Sequence, residues 1–114
     1  MIFLLFGLNS CSETEKQTIS FSMDIQPIFE VNCAYCHGPG GDANLDLTSY
    51  ETTMGNESDY GYVVIPNEPD NSYLYIKVSP DNTTGNRMPL GSNPLTAEKI
   101  RLVYDWIYEG AEDN

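Results

Sequence analysis

The segment Cys33-Ala34-Tyr35-Cys36-His37 constrains the fold more than any other feature of this 114-residue chain. It holds the single histidine and two of the three cysteines. Two thiols three residues apart on one helical turn point to the same side. Each can therefore close a thioether to one of the two vinyl groups of a porphyrin, and the histidine that follows can set its imidazole under the iron. Cys-x-x-Cys-His is the attachment signature of c-type haem. A chain that carries it must fold around a flat apolar disc, with Cys33 and Cys36 as the covalent links and His37 as the proximal iron ligand.

Three rivals can be weighed on the same residues. A thioredoxin-like dithiol needs a βαβ setting with long apolar strands, and none is visible. Structural zinc wants four ligands; once Cys33, Cys36 and His37 are used, the chain offers one more cysteine and no histidine. A disulfide between two cysteines on one helical turn has poor geometry.

Length and charge narrow the class. Behind an apolar leader about a hundred residues remain, enough for one domain with a modest core. A porphyrin would supply the centre of that core, which suits a loop-rich chain with 9 glycines and 7 prolines. Seventeen Asp and Glu against five Lys and Arg give a formal net charge of −12. Nucleic acid is excluded as a partner, because phosphate contacts need cations. Acidity on this scale keeps a domain in solution, and it also steers a positively charged redox protein towards it.

The N-terminus reads as an address. Residues 1–10 form a short apolar run ending in Asn9-Ser10, directly before Cys11. That arrangement resembles the end of a bacterial lipoprotein signal, in which the cysteine becomes lipidated. The resemblance implies a lipid anchor on Cys11, residues 11–20 as a polar tether with Cys11 at its head, and a domain over residues 21–114. The expected location is outside the cytoplasm, periplasmic or at the cell surface, with acyl chains in the membrane and the domain in water.

The periodicity predicts an all-α architecture with long loops. A first helix over Ser22–Asn32 leads into the haem motif, with Ser22 or Asp24 as its cap and Pro27 in its first turn. The last helix runs from an N-cap at Thr96 to a stop at Gly110, with Ile100, Val103, Tyr104 and Ile107 as its inner stripe and Leu102 and Trp106 widening it. Shorter helices are expected at Ser49–Met54 and Ser72–Val78. The one candidate strand is Tyr62–Ile65. Gly38-Pro39-Gly40-Gly41 stops any helix after His37.

The opposite face of the iron needs a second ligand or a vacancy. With no other histidine, methionine is the candidate, since a soft thioether favours the ferrous state. Met1 lies in the leader, Met23 precedes the first helix, and Met54 follows a short helix as its main rival. Met88 is favoured, because it sits in the glycine-bounded loop Gly85-Asn86-Arg87-Met88-Pro89-Leu90-Gly91 ahead of the last helix. Arg87 beside it offers a guanidinium to a haem propionate. Tyr104 and Trp106 read as core packing rather than haem contacts. The imidazole of His37 needs an acceptor for its second nitrogen; the sequence does not identify it, a backbone carbonyl in the Gly38–Leu47 loop being one option.

With these pieces in place, residues 22–111 resemble bacterial class I-like c-type cytochrome domains, in particular planctomycete-type cytochrome c modules. The matching segments are Asp24-Ile25-Gln26-Pro27-Ile28-Phe29, the haem pentapeptide with Gly38, Leu45-Asp46-Leu47-Thr48-Ser49-Tyr50, Val64-Ile65-Pro66, Pro69 to Tyr75, Arg87-Met88-Pro89, and Leu95-Thr96 through Trp106-Ile107 to Gly110-Ala111. The resemblance implies covalent haem c, His37 and Met88 as axial ligands, and electron transfer. The first reading is therefore a monohaem one-electron carrier with no small-molecule substrate; no motif places a second titratable group beside an open iron site, so an enzyme is not expected. The alternative is a gas-binding or regulatory haem module in which Met88 is weak or absent as a ligand. A third option is an interaction module with an unfilled haem site.

Overall fold

The computed structural model describes residues 18–81, 85–91 and 93–114. The leader at residues 1–10, Cys11 and most of the tether lie outside the described residues.

The described residues form helices and turns without a strand ladder, so the all-α expectation holds. Ser20 opens the first helical segment. Its hydroxyl accepts from the Met23 N–H at 3.1 Å, while its own N–H donates to Asp24 Oδ2 at 2.8 Å. The cap is thus Ser20 rather than Ser22, and Asp24 is its return partner in a reciprocal capping pair. One wide π turn over Phe21–Ile25 buries both of its terminal residues. Helix α1 (Gln26–Asn32) follows and buries Ile28 and Phe29. Pro27 sits in its first turn, directly after the π turn.

Helix α2 (Tyr50–Met54) is capped by Ser49, and helix α3 (Tyr73–Val78) ends ahead of Pro80. Helix α4 (Ala97–Tyr108) has the expected cap, Thr96, whose side chain accepts from the Lys99 N–H. Its end is also as expected. Gly110 at φ 114° lets its own N–H reach the Ile107 carbonyl at 3.0 Å, and the Ala111 N–H reaches the Trp106 carbonyl at 2.8 Å.

The core lies where the first helical segment crosses α4. Phe21 packs against Trp106 at 5.3 Å, edge-on to Tyr50 at 5.3 Å and edge-on to Phe29 at 6.1 Å between ring centroids. Trp106, expected at the margin of the α4 stripe, is at its centre: it is buried and its indole N–H donates to the Glu112 carbonyl. The two ends of the described chain are tied together by Ser22 N–H to the Asn114 carbonyl, and Tyr50 O–H of α2 donates to the Ala111 carbonyl. These bonds join the first helical segment and α2 to the chain just beyond α4.

Tyr62–Ile65 is not a strand. Val63 and Val64 are buried at consecutive positions, whereas a one-sided strand would alternate. Their backbone instead serves α3: the Val63 carbonyl accepts from Leu74 N–H, and Ile65 N–H donates to the buried Ser72 hydroxyl. Asn67, in the left-handed region at φ 72°, then closes the end of α4. Its backbone N–H reaches the Ile107 carbonyl and its amide the Tyr108 carbonyl.

Candidate haem attachment site

The pentapeptide lies immediately beyond α1 and continues its turning. The N–H groups of Cys33 and Ala34 both reach back to the Phe29 carbonyl, and those of Cys36 and His37 both reach the Cys33 carbonyl, at 3.2 and 2.9 Å. The two cysteines therefore sit on one turn, as the spacing requires, and neither is in a disulfide.

They occupy different environments. Cys33 packs against the core, and burial pushes its thiol up to about 11, whereas Cys36 is exposed. A thiol held neutral in this way is the reverse of the activated thiolate that dithiol exchange needs. Nor do Cys33, Cys36 and His37 converge. Among the described residues, no three His, Cys, Asp or Glu side chains are placed to hold a metal ion, which is at odds with a zinc site.

The loop after His37 folds back on the turn. Asp42 N–H donates to the Cys36 carbonyl at 2.8 Å, Gly41 N–H to the Gly38 carbonyl at 2.9 Å, and Leu47 N–H to the His37 carbonyl at 2.8 Å. This reversal brings the Asp42 carbonyl to 3.1 Å from His37 Nδ1. A carbonyl can only accept, so Nδ1 carries a proton, and Nε2 is the nitrogen left for a metal. The acceptor that the sequence left unnamed is thus Asp42, through its backbone. Gly41 makes the reversal possible: a Cβ there would lie 2.3 Å from the Cys36 carbonyl oxygen. The Gly-Pro-Gly-Gly run signalled a tight loop, but not which carbonyl it would present.

Met88 and Arg87 hang from the end of α3. Met88 N–H donates to the Lys77 carbonyl at 2.8 Å, and Arg87 Nε to the Val78 carbonyl at 3.2 Å. Both acceptors belong to the last turn of the helix, where carbonyls have no partner within it. The guanidinium expected to face a propionate is therefore committed in part to the backbone. Met88 packs against the core, as does Met54, whereas Met23 is 77% exposed. Tyr104 stands edge-on to Tyr75 at 5.0 Å.

The donor set suits one chemistry. Two unbridged thiols on one turn and an imidazole with one nitrogen tied to a carbonyl match what covalent haem c requires of a protein. Comparison with known families agrees. The family model for planctomycete cytochrome C matches residues 33–89. The chain belongs to the planctomycete cytochrome C family. The matched region opens on Cys33 and closes on Pro89, directly after Met88, and membership implies covalently bound haem c.

A solved structure, hydrazine synthase of Kuenenia stuttgartiensis, resembles this cytochrome domain with a TM-score of 0.59 over 86% of the chain, at 22% identity. The likeness is one of fold, and the chain spans 16% of the length of that protein. None of the curated proteins compared with it matches. Among the described residues no helix is long and apolar enough to cross a membrane.

Proposed function

We propose that this domain is a monohaem electron carrier. Cys33 and Cys36 would hold the porphyrin through thioethers, His37 Nε2 and the Met88 thioether would ligate the iron, and Arg87 would pair with a propionate. Bound there, the haem supplies a one-electron Fe(II)/Fe(III) couple. The protein's part would be to hold the His37 ring in one orientation through Asp42, to offer the Met88 thioether to the iron and so exclude exogenous ligands, and to shelter the porphyrin against the core. No bond to a substrate forms, and one electron enters and leaves for each cycle. The observation that carries this reading is the bond from His37 Nδ1 to the Asp42 carbonyl, which orients the ring and leaves Nε2 as the nitrogen available to the iron.

The setting proposed for this carrier is outside the cytoplasm. Cys11 bears the lipid, residues 11–20 tether the domain, and a basic redox protein is the partner that a net charge of −12 would attract. Replacement of Met88 by Ala tests the ligation. A His/Met carrier is low-spin and slow to bind carbon monoxide, and Met88→Ala turns it high-spin and reactive. A parent protein that already binds carbon monoxide readily, with a spectrum indifferent to the substitution, is a gas-binding or regulatory module instead.

A further inference from the structure

The positive charges of this chain are segregated. Lys16 and Lys77 are consecutive cations, and the whole stretch between them, haem motif included, carries carboxylates only. In the same stretch the end of α1 exposes what a folded chain normally covers. Val31 is 78% and Tyr35 100% exposed, four residues apart across the end of α1, and the exposed Cys36 follows. Two carboxylates border them. Glu30 precedes Val31 and is exposed. Asp42, also exposed, is held beside Cys36 by its N–H bond to the Cys36 carbonyl.

An apolar centre with a charged rim is the anatomy of a docking surface. We infer that Glu30, Val31, Tyr35, Cys36 and Asp42 form the face on which a redox protein docks through a lysine-rich surface. The inference rests on the electron-carrier reading, and it gives that carrier an entry point next to the exposed Cys36 link. Charge selects the occupant. A second copy of this chain brings −12 against −12 and is repelled, as is an anionic membrane; a basic protein is drawn in and oriented. One electron crosses the face in each encounter, so that one centre is oxidised as the other is reduced.

The probe is a basic c-type cytochrome with a lysine-ringed haem edge, mixed with the haem-loaded protein. Zero-length carbodiimide cross-linking, mapped by mass spectrometry, reads the contact without reference to electron flow. Links at Glu30 or Asp42 are expected; links confined to α4 or to the C-terminus overturn the proposal. For kinetics, Glu30→Lys places a cation near the C-terminal end of α1, where the helix dipole welcomes it, so the fold is not endangered. It slows electron exchange with the probe about three- to tenfold at low ionic strength, and the gap closes in high salt. Asp113→Lys makes the same change in net charge next to Asn114, which bonds Ser22 at the other end of the first helical stretch from Glu30. It slows exchange by less than about twofold. Tyr35→Ser weakens docking about threefold and leaves the salt dependence as it was.

Equal slowing by Glu30→Lys and Asp113→Lys, or none by either, overturns the docking face while the carrier stands. A neutral hydroquinone serves as control and reduces all the variants at the parent rate. If the parent exchanges electrons with neither probe nor hydroquinone, the carrier reading itself falls, and the docking face with it.

Discussion

The two sides of the proposed haem site are built in different ways. The His37 side is a closed local circuit: within residues 33–47 the backbone bonds to itself at Cys33, Cys36, His37 and Gly38, and the ring of His37 completes the loop through Asp42. The Met88 side is borrowed. The 85–91 loop takes its fixed points from α3, through Met88 N–H to Lys77 and Arg87 Nε to Val78. A ligand whose orientation is set by its own immediate neighbours survives changes elsewhere in the fold. A ligand delivered from a distant loop depends on the element that the loop hangs from. Loss of the first should therefore abolish the site, whereas loss of the second should change its character.

The largest expected effect is on the closed side. Gly41→Ala drives a Cβ to 2.3 Å from the Cys36 carbonyl, with no flexible side chain to yield. The expected cost is about 2–4 kcal/mol of stability together with a fall in the yield of haem-loaded protein, read by thermal melting and a pyridine haemochrome assay. An unchanged yield would mean that the His37 circuit is not what prepares the site.

A second effect comes from the buried thiol of the same turn. In the haem-free chain the folded state keeps Cys33 neutral up to about 11, against an ordinary thiol value of 9.0. A pKa raised by folding contributes stability that is fully present below the unfolded value and is lost as pH climbs through the folded one. Between pH 9.0 and about 11 the chain should therefore lose on the order of 2 kcal/mol that Cys33→Ala does not lose, as read from urea midpoints of both proteins across that window. Parallel midpoints would place Cys33 in water.

The smallest effect sharpens the borrowed side. Arg87→Ala removes one hydrogen bond to the Val78 carbonyl and should cost about 1 kcal/mol. The thioether-to-iron charge-transfer band of the haem-loaded protein should weaken while its covalent haem is untouched. Full rescue by Arg87→Lys would assign the effect to charge at a propionate rather than to the hydrogen bond that holds the loop.

Legibility in the sequence follows the same division. The pentapeptide, the α4 cap at Thr96 and the stop at Gly110 rest on local chemistry, and the structure puts the cap and the stop where the residues imply. The short helices before Gly55 and before Pro80 were readable for the same reason. Other features answer to tertiary contacts that no local pattern encodes. Ser20 rather than Ser22 caps the first segment because the chain widens into a π turn that turns both Phe21 and Ile25 inward. Val63-Val64 looked like a strand because consecutive β-branched residues are common to strands and buried loops, and only α3 reveals what their backbone bonds to. The partner of His37 was legible only as one option, a backbone carbonyl within Gly38–Leu47. Its identity depended on the reversal at Gly41.

The account as a whole turns on covalent haem at Cys33 and Cys36. Intact mass spectrometry of the protein matured in an exporting, haem-ligating host, paired with its visible spectrum, tests that most directly. The expected result is a mass greater than the polypeptide by one haem, carried on the 33–37 peptide after digestion, with a Soret band. A mass equal to that of the polypeptide and any acyl groups, with no Soret band, would contradict it.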